Sequence, residues 1–362
     1  MNHQGTNSLI RVLIVDDSAF MRTALSRMVA SDPDISVVGT ASTGNEALQR
    51  IPFLDPDVIT LDVQMPGLDG LETLHRIMAE FPRPVIMVSS VTLKDAETTF
   101  NALAAGAFDY VPKQLSSASL DILHLQADLI AKIRAAAESR NAHKPLIVSR
   151  KPPRAVAMPM REASLCSPAI VALGISTGGP KALQDILPIL PADMPVPILV
   201  VQHMPTGFTA PFAKRLDSLC AVSVCEAVHG EAVLPGVVYI APAGTHLTVE
   251  RGSSRTVVCL SDKPEHQLHI PSVDIMMQSV ASAFGSLAMG IIMTGMGSDG
   301  AQGMSAIHRE GGLTVGQDEP SCTVYGMPRA CAEMRILDRV VPLSQIPHEI
   351  LHATHYRKAS VS

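Results

Sequence analysis

A serine follows an apolar run that stops at a glycine-rich turn. Residues 169–180, AIVALGISTGGP, place Ser176 and Thr177 between a predicted strand and a predicted helix. A hydroxyl at this point lies beside the free N–H groups of a helix N-terminus, which can stabilise an oxyanion. Ser176 is therefore a candidate nucleophile. The alternative is that Ser176 or Thr177 only caps the following helix.

A nucleophilic serine needs a base, and the base needs a third group that fixes its tautomer. His203 ends the next predicted strand, on the same sheet edge as Ser176, and is the candidate base. Asp299 lies where a later strand ends and a helix begins, and is the candidate acid. His246 is the second choice of base because it follows a Gly-Thr turn. The weaker candidates are His229, His266 and His269 as base, with Asp262 and Asp274 as acid, and Asp274 is at a predicted helix start, which favours capping.

Acidic residues follow two strands of the N-terminal half. Asp16 and Asp17 come directly after the first predicted strand, and Asp62 comes after the third. In a parallel sheet these positions meet at one edge, where three carboxylates would repel one another unless a hard cation lay among them. Mg²⁺ suits such oxygen ligands, and at the same edge Ser89 ends the fourth strand and Lys113 follows the fifth. The alternative, that Asp16, Asp17 and Ser18 simply cap the first helix, would explain one carboxylate but not the convergence of Asp62, Ser89 and Lys113.

Short apolar runs alternate with helical patterns in two separate parts of the chain. This alternation predicts an α/β protein with two doubly wound, mainly parallel sheets, and an antiparallel hairpin at 246–260 in the second. We expect one domain at 10–130 and another at 168–352. Residues 131–167 are predicted to hold the end of a helix and a proline-rich linker, and 353–362 a tail.

Composition limits the classes of function. The net charge of −6, with no basic block, argues against nucleic acid as a partner. The N-terminal residues do not resemble a signal peptide, and no apolar stretch is long enough to span a bilayer. The six cysteines lack Cys-x-x-Cys spacing, which disfavours zinc and a disulfide framework. We expect a soluble, cytoplasmic and monomeric protein without membrane insertion.

Two glycine motifs suggest other enzyme classes. Residues 174–178 match the nucleophile elbow of α/β-hydrolases, but that fold orders its triad as serine, acid, histidine, unlike this chain. Residues 295–300, GMGSDG, match the spacing of a dinucleotide-binding fingerprint, with Asp318 and Glu319 following about 20 residues on. A dinucleotide-binding oxidoreductase therefore remains an alternative. A third possibility is an interaction scaffold without catalysis.

The first domain resembles the receiver domain of bacterial response regulators, which has a flavodoxin-like fold. The resemblance rests on the segments VLIVDDS at 12–18, LDVQMPGLDG at 61–70, VSS at 88–90 and DYVPK at 109–113. It implies that Asp62 accepts a phosphoryl group from a histidine kinase. The other implied roles are Mg²⁺ binding by Asp16, Asp17, Asp62 and the Gln64 carbonyl, phosphoryl binding by Ser89 and Lys113, and an aromatic switch at Tyr110. Gln114 stands where receivers usually carry proline, so a cis Lys–Pro bond is not expected there.

The second domain resembles the chemotaxis protein-glutamate methylesterase (CheB-type) domain. The matching segments are GISTGGP at 174–180, QHMPTGFT at 202–209, APAGTH at 241–246, PSVD at 271–274 and TGMGSDGA at 294–301. The resemblance implies a Ser176–His203–Asp299 triad, with oxyanion donors from the backbone around Thr177 and Met296. It also implies hydrolysis, without a cofactor, of glutamate γ-methyl esters and glutamine amides in methyl-accepting chemoreceptors. The resemblance further implies that the unphosphorylated receiver covers the esterase site.

Replacing Ser176 separates the hydrolase interpretation from the dinucleotide-binding one. Ser176→Ala should abolish methyl-ester hydrolysis and leave the fold intact, because only the nucleophilic oxygen is lost. Methanol release and circular dichroism of the purified variant measure the two effects. Saturable NAD(P) binding that is lost on Gly297→Val, in a protein without esterase activity, would favour the oxidoreductase instead.

Overall fold

The computed structural model describes residues 9–90, 92–113, 119–142, 167–252, 255–265 and 267–356. The chain divides into two compact units, with the boundary between residues 149 and 150. Most of the predicted linker, at 143–166, and most of the predicted tail, at 357–362, lie outside the described residues. Among the described residues, no helix is both long and apolar enough to cross a membrane.

The first unit is a parallel sheet of five strands in the order β2-β1-β3-β4-β5. Its strands are β1 (Ile10–Val15), β2 (Ile35–Ala41), β3 (Val58–Asp62), β4 (Val85–Ser89) and β5 (Asp109–Pro112). Its helices are α1 (Ala19–Ala30), α2 (Gly44–Leu54), α3 (Gly70–Glu80), α4 (Leu93–Ala104) and α5 (Ser119–Ala142). From β1 the chain moves to β2 on one side of the sheet and then returns to β3 on the other side. The strand order therefore reverses between β1 and β3, and a crevice forms at the carboxyl ends of these two strands.

Burial explains why these strands form a central layer. Every residue of β3 and β4 is buried, as an apolar strand covered on both faces must be. The first helix begins at Ser18, whose hydroxyl accepts a hydrogen bond from Met21 N–H. Since Ser18 supplies this cap, the carboxylates of Asp16 and Asp17 are not used to cap α1 in that way.

The second unit contains a seven-stranded sheet in the order β14-β13-β12-β6-β7-β9-β8, in which all neighbours are parallel. Its strands are β6 (Ile170–Ile175), β7 (Ile198–Gln202), β8 (Ser223–Glu226), β9 (Val237–Ile240), β12 (Ala288–Ile292), β13 (Leu313–Gln317) and β14 (Arg339–Val341). The antiparallel pair is β10 (His246–Arg251) and β11 (Thr256–Ser261). The helices are α6 (Gly179–Ile186), α7 (Thr209–Leu219), α8 (Val273–Phe284), α9 (Ala301–Arg309), α10 (Met327–Glu333) and α11 (Ile346–Ala353).

The predicted fold class is confirmed in both units. The elements absent from the sequence prediction are short and peripheral: β8, β14, α10 and α11. The strands β8 and β14 lie at the two edges of the sheet and are only partly buried, so they lack a continuous apolar run. A strand of three or four residues is also too short for periodicity to be recognised.

Candidate functional site

Three adjacent strands bring the predicted catalytic residues to one edge of the second sheet. Strand β6 pairs with β12 on one side and with β7 on the other. Ser176 follows β6, His203 follows β7, and Asp299 lies in the loop from β12 to α9. Ser176 N–H donates to Thr294 O at 3.0 Å, and His203 N–H donates to Ile175 O at 3.2 Å. The three neighbouring loops are therefore joined by backbone hydrogen bonds.

The turn after β6 leaves the side chain of Ser176 available. The N-cap of α6 is Gly178, at φ +77°, and no side chain caps this helix. The alternative that Ser176 or Thr177 caps α6 is therefore wrong. Pro180 lies in the first helical turn, as the sequence predicts, because its missing N–H needs no partner there.

His203 and Asp299 form a direct pair. The distance from His203 Nε2 to Asp299 Oδ2 is 2.8 Å. An ionised carboxylate only accepts, so Nε2 carries a proton, and in the neutral imidazole Nδ1 is then the nitrogen with the lone pair. Nδ1 is buried and has no hydrogen-bond partner within the described residues. A nitrogen with a lone pair and no bound donor is what a general base requires.

The two ring nitrogens of His203 are exchanged relative to the arrangement in serine proteases. There the acid binds Nδ1 and the serine faces Nε2. Here Asp299 binds Nε2 of His203, and Nδ1 is the ring nitrogen without a hydrogen-bond partner among the described residues. The chemistry is unchanged, because either nitrogen of imidazole can act as the base once the other carries the proton.

Asp299 is held by the N-terminus of α8. It accepts hydrogen bonds from Ser272 Oγ at 2.9 Å, Val273 N–H at 2.8 Å and Asp274 N–H at 3.0 Å. Burial by itself would raise the pKa of Asp299, but the bonds from His203 and from these donors outweigh it and hold the pKa well below its usual range. The carboxylate therefore stays ionised and fixes the orientation of His203.

The competing histidines have other partners. His246 is fully buried, its Nδ1 accepts from Ser272 N–H at 3.1 Å, and its Nε2 lies 3.3 Å from Pro264 O. Both nitrogens are thus occupied, and the residue supports Ser272, which caps α8. His229 Nδ1 accepts from Leu260 N–H. His266 lies outside the described residues.

His269 and Asp274 take positions that the sequence did not predict. The imidazole of His269 stacks on that of His203, with ring centroids 4.1 Å apart. Asp274 lies in the first turn of α8, but its carboxylate accepts from Gly303 N–H, in the first turn of α9. The expectation that Asp274 caps the helix at whose start it lies is wrong: Ser272 caps α8, and the carboxylate of Asp274 instead reaches the N-terminus of α9, because the two helices pack side by side. Asp262, the other alternative acid, is exposed.

Two backbone N–H groups lie near Ser176 as the oxyanion prediction requires. Gly295 packs against the serine so closely that a Cβ on this glycine would lie 2.8 Å from Ser176 Cβ. Met296 follows Gly295, and Thr177 follows Ser176. Within the described residues, neither Thr177 N–H nor Met296 N–H donates a backbone hydrogen bond. Both groups are thus available to an oxyanion.

The dinucleotide-binding alternative is not supported by the loop at 295–300. Gly295 is enclosed by the segment that precedes α10, where a Cβ on Gly326 would lie 2.6 Å from Gly295 O. Asp318, the acid that the fingerprint would use for a ribose, instead accepts from the N–H and hydroxyl of Ser321. Asp299, inside the motif, binds His203. The motif has the spacing of the fingerprint but serves another purpose.

The acidic residues of the first unit also converge. Oxygen atoms of Asp16, Asp17 and Asp62 lie within 4.8 Å of one another. Lys113 Nζ is 2.9 Å from Asp16 Oδ2 and 2.6 Å from Asp62 Oδ2, and Gln64 N–H donates to Asp62 Oδ1 at 3.1 Å. Three hard oxygen donors around one point fit Mg²⁺, which binds through a few carboxylates and retains water.

Electrostatics support a cation at this point. Burial raises the pKa of Asp62 to about 6, although the bond from Lys113 opposes the rise, and the charge of Asp16 adds to it. Burial also opposes the charged form of Lys113, but its bonds to Asp62 and Asp16 outweigh this and raise its pKa. One ammonium is therefore shared by two of the three carboxylates, and a divalent cation would balance the remaining negative charge.

The other predicted residues of this unit are buried around the same edge. Ser89 is fully buried, and its Oγ lies 3.2 Å from Ser90 O and 2.8 Å from Thr99 Oγ1. Tyr110 is only 3% exposed, so its ring points inward. Gln114 lies outside the described residues, whereas the preceding Lys113 is placed by a bond from its N–H to Ser89 O.

Sequence reasoning assigned no role to Gln202, although the residue touches both catalytic loops. Its Nε2 donates to Ser176 O and to His203 O, each at 3.0 Å. The signal was a polar residue that ends an apolar strand directly before the candidate base. Ser272 was also given no role, although it donates to Asp299 from a helix start that the sequence did predict.

Known protein families match both units. Residues 12–123 match the response regulator receiver domain, and residues 171–350 match the CheB methylesterase family. The protein-glutamate methylesterase/protein-glutamine glutaminase 2 of Nitratidesulfovibrio vulgaris is 45% identical, over 96% of this chain and 100% of that protein. The corresponding protein of Halalkalibacterium halodurans is 44% identical, over 95% of this chain and 98% of its own length.

A solved structure agrees with the second unit. The CheB methylesterase catalytic domain of Thermotoga maritima is 40% identical and superposes with a TM-score of 0.50, covering 52% of this chain and 99% of that domain. Two family matches in order, relatives similar over nearly their full length, and a His–Asp pair beside a serine lead to one conclusion. The chain belongs to the CheB methylesterase family, with a response-regulator receiver domain preceding its methylesterase domain.

Proposed function

We propose that this protein hydrolyses γ-methyl esters of glutamate side chains in methyl-accepting chemoreceptors, and deamidates glutamines at such sites. The observation that carries the proposal is the 2.8 Å pair between His203 Nε2 and Asp299, beside Ser176, with the lone pair of His203 Nδ1 left unbonded. The names of the relatives, protein-glutamate methylesterase/protein-glutamine glutaminase, support the choice of substrate.

Acylation begins at Ser176. Its Oγ attacks the ester carbonyl carbon while His203 Nδ1 takes the hydroxyl proton. The imidazolium that forms is stabilised by the ionised carboxylate of Asp299. The N–H groups of Thr177 and Met296 bind the oxyanion of the tetrahedral intermediate, and one such donor contributes roughly 3–4 kcal/mol.

The reaction then proceeds through a glutamyl–enzyme ester. His203 returns its proton to the departing oxygen, so that methanol leaves as the C–O bond breaks. Water, deprotonated by the same nitrogen, then attacks the acyl group, and Ser176 is regenerated with a free glutamate carboxylate as product. A glutamine side chain follows the same path with ammonia as the leaving group. None of these steps requires a cofactor.

We further propose that phosphorylation of Asp62 by a histidine kinase controls the esterase. Mg²⁺ held by Asp16, Asp17, Asp62 and the Gln64 carbonyl would neutralise the charge of the transferred phosphoryl group. Lys113 and Ser89 would then bind its oxygens, and Tyr110 would respond to that change. The pairing of Lys113 with both Asp16 and Asp62 supports this assignment. A cytoplasmic location, a monomeric state and the absence of a nucleic-acid partner stay predictions.

Methanol release from methylated receptor membranes tests the proposed activity directly. The wild-type protein should release methanol, and release should increase when acetyl phosphate and Mg²⁺ are added. Ser176→Ala protein prepared in the same way is the control for spontaneous hydrolysis. Release that does not differ from this control would contradict the proposal.

The roles of base and acid can be separated by substitution. His203→Ala should reduce kcat nearly as much as Ser176→Ala, because the members of a triad act as a unit. Asp299→Asn should retain more activity than either, because the acid mainly orients the imidazole. Steady-state kinetics on methylated receptor measure both.

His246→Ala is the matched histidine control. It should chiefly lower the melting temperature, because it leaves the buried N–H of Ser272 without its acceptor. An inactive His246→Ala variant beside a fully active His203→Ala variant would show that the base is wrongly assigned.

The regulatory proposal predicts different rates for three proteins. If the receiver restrains the esterase, deletion of residues 1 to about 150 should raise basal turnover, because the restraint is removed without a phosphoryl group. Asp62→Ala should keep basal turnover low and make it insensitive to acetyl phosphate with Mg²⁺. Equal turnover of the full-length, truncated and Asp62→Ala proteins, unchanged by phosphodonor, would instead make the receiver a docking module.

A further inference from the structure

The two candidate oxyanion donors belong to peptide groups whose carbonyls are anchored. In a trans peptide group, the C=O of one residue and the N–H of the next residue lie in one plane and point in opposite directions. Thr177 N–H is in one plane with Ser176 C=O, and Met296 N–H is in one plane with Gly295 C=O. Whatever fixes the direction of each carbonyl therefore fixes the direction of the N–H on the other side.

The Gly295 carbonyl is anchored by backbone alone. It accepts from Gly326 N–H at 3.0 Å and from Met327 N–H at 2.9 Å. Two donors to one oxygen leave this peptide little freedom to rotate. They direct the N–H of Met296 away from the segment that precedes α10.

The Ser176 carbonyl is anchored by one backbone group and one side chain. It accepts from Gly179 N–H at 2.8 Å and from Gln202 Nε2 at 3.0 Å. The second N–H of the same amide donates to His203 O at 3.0 Å. Gln202 is the last residue of β7 and the last to pair with β6, opposite Ile175. Its amide thus joins the two strands where the ladder of backbone bonds stops.

This arrangement has two structural costs. Gln202 is 2% exposed, and its Oε1 is buried without a hydrogen-bond partner within the described residues. An unsatisfied buried acceptor destabilises a fold. In addition, a Cβ at position 179 would overlap Gln202 Oε1, so a side chain there would require this amide to move. An apolar side chain at 202 would avoid the unsatisfied oxygen but would also remove the donor to the Ser176 and His203 carbonyls, so the glutamine leaves one acceptor unsatisfied and anchors two.

We propose that Gln202 is a positioning residue for the oxyanion hole: its amide holds the Ser176 carbonyl, and so aims Thr177 N–H at the developing oxyanion. The inference rests on the proposed esterase function. A carbonyl that accepts a hydrogen bond also polarises its peptide, which makes the N–H of that peptide a better donor. The bond to His203 O keeps the base at a fixed distance from the same turn.

Gln202→Met tests the proposal, because methionine has nearly the same size and no donors. We expect kcat for methylated receptor to fall by about 10- to 100-fold, as expected when one oxyanion donor is misdirected. KM should stay within about twofold, because the donor acts chiefly on the transition state. The affinity for a trifluoromethyl ketone analogue of glutamate methyl ester, which forms an oxyanion on Ser176, should fall by the same factor as kcat.

Gln184→Met is the matched control. Gln184 is a partly buried glutamine whose Nε2, like that of the fully buried Gln202, donates to a backbone carbonyl, here that of Pro180, and whose Oε1 accepts from Arg215. It lies on α6, away from the catalytic loops, so its loss should lower stability without changing kcat. Rates are normalised to the sites that react with a fluorophosphonate, so partial unfolding does not imitate a loss of catalysis.

The outcomes separate the inference from the function on which it rests. If Gln202→Met keeps wild-type kcat per reactive site and loses only stability, like Gln184→Met, the inference is overturned. If Gln202→Met does not fold, Gln202→Asn decides by the same kcat and analogue measurements, because its shorter amide cannot reach both carbonyls. A wild-type protein that releases no methanol would instead overturn the proposed function.

Discussion

The arrangement of the catalytic edge depends on one buried carboxylate. Asp299 could not remain charged in this environment without its donors, and they come from separate parts of the chain: His203 after β7 and the first residues of α8. Satisfying this charge fixes the loop before α9, the entrance to α8 and the ring of His203 together. His246 extends the same network by holding the N–H of Ser272. The orientation of the His203 ring is thus a consequence of the need to satisfy the buried charge of Asp299.

The two units treat buried carboxylates in opposite ways. Asp299 receives more hydrogen bonds than its burial requires, so its pKa lies well below the usual range and it only orients. Asp62 shares one lysine with Asp16, and burial raises its pKa to about 6. A carboxylate with several donors is held ionised and in one orientation, whereas an incompletely compensated one can still bind a cation, as the proposed phosphoacceptor role of Asp62 requires. The same residue type is adapted to two tasks by the number of its donors.

Much of the fold could be read from local patterns. Buried parallel strands such as β3 and β7 are continuous apolar runs, and polar residues directly after them mark the carboxyl edge. The edge strands β8 and β14 and the short helix α10 could not be predicted in this way. Their few residues are placed by pairing with a neighbour or by packing on Gly295, and neither leaves a periodic signal.

The sequence by itself determined which residue types reach each edge: Ser176, His203 and Asp299 in one unit, and Asp16, Asp17 and Asp62 in the other. The spacing of residues along each strand decides which side chains lie at its carboxyl end, and this spacing is a local feature of the sequence. Only the tertiary structure decided that Nε2 of His203 binds the acid, that Asp274 caps α9, and that Gln202 joins two loops. These features depend on contacts between segments far apart in the chain, where the position of one side chain is set by the donors that another segment brings to it.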